Sequence, residues 1–208
     1  NDRADGALLA GAVEPLAGDA VLAERLGDVA VEVGAGEFLQ VNRAQSAALY
    51  AAVAELGGAA PGVRAVDLYS GLGGIAFTLA AAGAMVLGVE RDPTAVAAAR
   101  AAASAAGLAD RVQFVVGDSA AATAATPGAA GKLDLVVVNP PRKGLGDAVA
   151  AVAALGAASL VYVSCGPESL GRDLGGLATA GYHAAALRLF DLMPGTAQIE
   201  SVVLCRRS

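Results

Sequence analysis

The stretch Ala184-Ala-Ala-Leu-Arg-Leu-Phe-Asp-Leu-Met-Pro-Gly-Thr-Ala-Gln-Ile-Glu-Ser-Val-Val-Leu-Cys-Arg206 decides the fold. Two strand-like runs, Ala184–Phe190 and Ile199–Arg206, follow each other with too few residues between them for a helix, so they predict an antiparallel hairpin. Upstream, strand and helix alternate. Strands are expected at Ala65–Tyr69, Met85–Glu90, Val112–Gly117, Leu133–Asn139 and Leu160–Cys165, with helices near 75–82, 93–106, 146–155 and 168–179. That alternation predicts a parallel sheet with helices on both faces. A dinucleotide-binding domain of the ordinary kind would end on a parallel strand. This chain ends five parallel strands with a hairpin instead.

Other signals mark the edges of elements. Asn42 caps a helix that runs to Leu56 and stops at Gly57-Gly58, while Gly107 and Gly181 sit where helices close. Thr126-Pro-Gly-Ala-Ala-Gly131 reads as a loop. Residues 1–36 are irregular in pattern, with one strand-like run from Asp28 to Val33, and are expected to be the remnant of a preceding segment. Residues 37–208 are expected to form the catalytic domain.

Composition narrows the class. Of 208 residues, 56% are hydrophobic but only 4% aromatic, which points to a compact α/β protein with close-packed helices of small residues. Leu68–Val89 and Ala148–Pro167 lack charge, yet glycines break each and the pattern changes midway, so neither reads as a membrane span. The first residues carry no signal-peptide pattern, and two separated cysteines fit reduced thiols in a cytoplasmic setting. A net charge of −6 opposes broad contact with nucleic acid, so RNA binding would need a local basic patch or a further module.

Chemistry gathers at the carboxyl ends of the strands, where an open α/β sheet presents its ligands. Asp67-Leu-Tyr-Ser-Gly-Leu-Gly-Gly74 closes the first parallel strand in a glycine-rich turn, which permits close backbone approach to a ligand. Glu90 ends the second and can accept from ribose hydroxyls, and Asp118 ends the third, placed to accept from an adenine amino group. Together these outline an adenosine site, although Gly71-x-Gly73-x-x-Ala76 also fits a nicotinamide fingerprint.

The remaining strands carry reactive groups. Asn139-Pro-Pro-Arg-Lys-Gly144 ends the fourth strand, its prolines turning the Asn139 carbonyl groups toward the cleft. Such a segment can also hold an amine for methylation on nitrogen. Cys165 ends the fifth, and the helix opening at Pro167-Glu168 is expected to stabilise its thiolate. Glu200 opens the last strand and can face the same cleft. A thiol with a carboxylate is what carbon methylation of uracil requires: thiolate addition at C6 activates C5, and a base later removes the C5 proton.

Six segments occur in order: Phe38-Leu-Gln-Val-Asn42, Asp67–Gly74, Gly88-Val-Glu90, Asn139–Gly144, Ser164-Cys-Gly-Pro167 with Leu170-Gly-Arg-Asp173, and Asp191–Glu200. Together they resemble the RNA uracil-C5 methyltransferases, the tRNA and 23S ribosomal RNA enzymes, with wording closest to the 23S branch. The layout then implies a class I S-adenosylmethionine-dependent methyltransferase fold. By that resemblance Cys165 is the nucleophile and Glu200 the base. Gln40, Tyr69, Gly71, Glu90, Asp118 and Asn139 would hold S-adenosylmethionine, no metal is implied, and RNA is the partner. The family carries an amino-terminal RNA-binding barrel, and some members an iron–sulfur cluster, that these residues do not include. Ser70 stands where the family has Cys, Gln198 where it has His, and Met193 where it has an aromatic. Gly166 stands where it has Asn, which predicts a looser turn behind Cys165. Two other readings remain: a nitrogen-directed methyltransferase built on Asn139-Pro-Pro-Arg142, and a binding module without turnover.

Overall fold

The computed structural model describes residues 16–34, 36–37, 39–40, 42–118 and 133–208. The expected loop at 126–131 and two residues of the first family segment, Phe38 and Val41, lie outside them.

A seven-stranded sheet forms the centre. Its parallel strands are β3 (Arg64–Leu68), β4 (Met85–Glu90), β5 (Val112–Val116), β6 (Leu135–Val138) and β7 (Ser159–Ser164). The hairpin of β8 (Tyr182–Phe190) and β9 (Glu200–Arg207) completes it, in the order β5-β4-β3-β6-β7-β9-β8. Both hairpin strands run antiparallel to their neighbours, β9 lying between β7 and β8. The sequence expectation for five parallel strands and a closing hairpin is met, with boundaries moved by one or two residues.

Alternation explains the core. On β6, Leu135 and Val137 face one apolar cluster and Val136 and Val138 the other; on β7, Val161 and Val163 oppose Leu160 and Tyr162 in the same way. Strands covered on both faces carry no polar alternation, which is why these runs read as uniformly apolar. The helices are α1 (Arg43–Gly57), α2 (Gly74–Ala81), α3 (Pro93–Ala105), α4 (Val149–Ala154) and α5 (Pro167–Thr179). Asn42 caps α1 by accepting from the Gln45 amide, and Asp92 caps α3 by accepting from Thr94. The helix expected over 146–155 instead opens with a 3-10 turn at Gly146–Ala148.

The amino-terminal reading is met in part. The strand expected at Asp28–Val33 is present as β2 (Val29–Gly34), and it pairs in a full antiparallel hairpin with β1 (Val21–Leu26), which the irregular pattern of residues 1–36 did not disclose. Val29, Val31 and Val33 enter the same core as Ala95, Ala99 and Ala102 of α3. Small side chains on α3 leave room for that approach, while β1 keeps an exposed face that weakened its sequence pattern.

Candidate functional site

One cleft of about 1130 Å³ opens at the carboxyl ends of the parallel strands. All eight residues singled out from sequence line it: Gln40, Tyr69, Gly71, Glu90, Asp118, Asn139, Cys165 and Glu200. Successive strand ends deliver them, as the sheet topology requires.

At the β3 end the turn is strained. Tyr69 has φ +62°, and it is the one non-glycine residue with positive φ among the described residues. Such a conformation is costly for an aromatic and is found where surrounding structure enforces it. Gly71 follows at φ +51°, and a Cβ there would meet open space. Its amide donates to Glu90 Oε2 at 3.0 Å, while Glu90 Oε1 accepts from the Arg91 and Asp92 amides at 2.7 and 3.0 Å. Those amides hold the carboxylate at the cleft wall. Asp118 lies farther out, 3.5 Å from Arg91 Nη2, an exposed pairing of small energetic weight.

Among the described residues, no close hydrogen bond reaches two buried polar groups here, the carboxylate of Asp67 and the hydroxyl of Ser70. Burial pushes the Asp67 carboxyl up to about 8, the Ala76 amide acting against it and Glu90 with it. Tyr50, which lines the cleft from α1, is pushed up to about 12 by burial, then by Asp67 and Glu200. The cleft wall beside Tyr69 and Gly71 thus presents the Glu90 carboxylate, held in place by three backbone amides. That suits a ligand with cationic sulfonium and ammonium groups beside a hydroxyl-bearing ribose, so the residues fit S-adenosylmethionine. Sequence reasoning passed over Tyr50 because it sits in an alanine-rich helix where an aromatic reads as core.

The Asp67 shift has a measurable consequence. An unfolded Asp ionises near 3.9, so between about pH 4 and 8 the unfolded chain releases a proton that the folded one retains. Stability from this group is therefore greatest at low pH and is lost as pH rises to about 8. In urea unfolding of the ligand-free protein, Asp67→Asn is expected to gain on the parent steadily from pH 5 to 8 and to level off above. Parallel stability curves would refute the buried-acid assignment.

At the other end, Ser164 on β7 pairs with Ser201 on β9. Cys165 is one residue beyond the first and Glu200 one before the second, so the same register sets the pair opposite each other. The hairpin is thus what brings the carboxylate to the thiol. Burial and then Glu200 push the thiol above its ordinary value, and Arg142 pulls it down. Helix α5 does begin just beyond Cys165, but its expected stabilisation of the thiolate is outweighed by burial and the Glu200 charge. Burial also raises the Glu200 carboxyl.

The turn behind Cys165 is tied rather than loose. The Gly166 amide donates to Ser164 Oγ at 3.1 Å, and its carbonyl accepts from Ser169 Oγ and the Leu170 amide, both at 2.9 Å. A Cβ at Gly166 would lie 2.8 Å from the Arg142 carbonyl oxygen, so glycine lets the two loops close on each other.

This sheet order, closing hairpin and strand-end cleft define a class I S-adenosylmethionine-dependent methyltransferase. The chain is 39% identical over 173 residues to the 23S rRNA (uracil(1939)-C(5))-methyltransferase RlmD of Alkalilimnicola ehrlichii, covering 83% of this chain and 39% of that protein. It is 34% identical to an uncharacterized RNA methyltransferase of Lactiplantibacillus plantarum, covering 100% and 46%. Among solved structures, the Pyrococcus abyssi tRNA (uracil-54, C5)-methyltransferase in complex with S-adenosyl-L-homocysteine matches with TM-score 0.78 and 28% identity, over 98% of this chain and 48% of that one. Over most of its length the chain is similar to members of the RNA uracil-C5 methyltransferase family. It spans under half the length of these relatives. A model for RNA cap guanine-N2 methyltransferases matches residues 63–149, which contain the cofactor half and Asn139-Pro-Pro-Arg142 but neither Cys165 nor Glu200. Among the described residues no helix is long and apolar enough to cross a membrane, and no group of side chains could hold a metal ion.

Proposed function

We propose that the protein methylates C5 of uridine in RNA through a covalent bond between Cys165 and C6 of the base. The observation that carries this reading is the strand register that sets Cys165 opposite Glu200 at the cleft. Bound S-adenosylmethionine supplies an electrophilic methyl group. Gln40, Tyr69, Gly71, Glu90, Asp118 and Asn139 would hold it, Glu90 serving as acceptor for its ribose hydroxyls. The Cys165 thiolate adds to C6, leaving C5 nucleophilic. After methyl transfer Glu200 takes the C5 proton, the C5–C6 double bond re-forms and the thiolate departs. Similarity to 23S rRNA enzymes and the asparagine opening Asn139-Pro-Pro-Arg142 favour ribosomal over transfer RNA. We assign catalysis to residues 37–208 and put the protein in the cytoplasm.

The alternative, methylation on nitrogen, draws on the guanine-N2 model match through Asn139-Pro-Pro-Arg142. 5-Fluorouridine separates the two, because C5 fluorine cannot be removed as a proton. With S-adenosylmethionine and 5-fluorouridine-substituted 23S rRNA fragments, a denaturation-resistant adduct at Cys165 is expected. tRNA fragments run in parallel test the RNA preference. No adduct with either RNA, from the protein as the cell makes it, overturns the proposal.

A further inference from the structure

The buried carboxylate of Asp173 on α5 is used by no step above, yet it is the most heavily bonded side chain near the site. It is 1% exposed, and burying a carboxylate costs several kcal/mol unless donors compensate it. Four donors do. Oδ2 accepts from Tyr162 Oη at 2.7 Å and the Leu145 amide at 2.6 Å; Oδ1 accepts from Arg172 Nε at 3.3 Å and the Gly146 amide at 3.4 Å. Arg172 Nη2 in turn donates to the Lys143 carbonyl at 2.6 Å.

These bonds join three elements. Tyr162 stands on β7 three residues before Cys165, Leu145 and Gly146 end the loop that begins at Asn139, and Asp173 belongs to the helix behind the thiol. Gly144 shows how close the joint is: it has φ +79°, and a Cβ there would lie 2.3 Å from Asp173 Oδ2. Arg142, two residues earlier, is the cation that lowers the Cys165 thiol, and its carbonyl accepts from Ser169 Oγ on α5.

We propose that Asp173 is the positioning residue of this site: by bonding Tyr162 and the Leu145–Gly146 amides at once, it fixes the Asn139–Gly146 loop against Cys165. It does not line the cleft and acts through Arg142 and Asn139, which do. The inference rests on Cys165 as nucleophile, but one arm of its test needs no RNA.

That arm is the pH profile of Cys165 alkylation by iodoacetamide, with buried Cys205 as the internal control. The groups facing the thiol are Glu200 and Arg142. Freeing the loop takes Arg142 away and leaves Glu200, so the half-rate pH in Asp173→Asn should rise by at least about half a unit. Tyr162→Phe, which removes one bond and no charge, should shift it the same way by less. In the second arm, single-turnover methyl transfer by Asp173→Asn should fall about 10- to 100-fold with S-adenosylmethionine affinity unchanged. Profiles of both variants that superpose on the parent's, with melting temperatures preserved, overturn the inference; if Asp173→Asn does not fold, Tyr162→Phe carries the decision. A parent protein that methylates no RNA overturns the uridine reading instead, and leaves the alkylation arm intact.

Discussion

Cys165→Ala is expected to abolish uridine methylation, lowering single-turnover transfer by at least about 10⁴-fold, while S-adenosylmethionine binds within a few-fold of the parent. Four decades correspond to about 5.5 kcal/mol of barrier. That size follows from the chemistry: C5 of uracil is a poor nucleophile, and addition at C6 is what makes it reactive. No other described thiol can substitute, because Cys205 is fully buried in the apolar cluster on the other side of β9. The cofactor end stands apart, since Glu90, Gly71 and Tyr69 are held by their own strand ends. The raised thiol also sets the pH dependence. Thiolate grows as pH climbs, so the transfer rate of the parent should keep rising through and beyond pH 8. Activity that survives in Cys165→Ala would end the C5 reading and favour methylation on nitrogen through Asn139-Pro-Pro-Arg142.

What the amino-acid sequence disclosed, and what it hid, follows from range. Strand ends are local: an apolar run followed by Asp67, Glu90, Asn139 or Cys165 announces both the strand and the side chain at its mouth. The β8–β9 hairpin was legible because a short connection permits only antiparallel pairing. The β1 strand was not, since its exposed face leaves little alternation to read and its partner β2 was visible only as a run of valines. Boundary errors of one or two residues at β3 and β6 lie where strand gives way to turn. Asp173 was seen as part of Leu170-Gly-Arg-Asp173 with no role, for its partners lie 11, 27 and 28 residues away. The pull of Glu200 on the Cys165 thiol was hidden for the same reason. A helix start just past a cysteine suggests a stabilised thiolate, and only the folded register places an opposing carboxylate beside it.

Glu200→Gln should separate the two halves of the reaction. Glutamine keeps the shape and burial of the side chain but cannot take a proton, so C6 addition and methyl transfer are expected to proceed while release of Cys165 stalls. Turnover should fall about 10²- to 10⁴-fold, the usual worth of a positioned base. A denaturation-resistant adduct should then build up on ordinary uridine RNA, where the parent accumulates none. The pH profile supplies a second sign. Burial lifts the Glu200 carboxyl above its ordinary value, so its base form appears at a higher pH than a solvent-exposed glutamate's, and the parent's turnover should rise as pH passes through that value. Glu200→Gln should lose that acid limb. A variant that releases methylated RNA at the parent's rate would show that another group removes the C5 proton, and the β7–β9 register would then serve only to raise the thiol. Register is the physical root of the expectation. Moving β9 by one residue would turn Glu200 to the opposite face of the sheet, so the hairpin sets base and nucleophile in one cleft only in the pairing of Ser164 with Ser201.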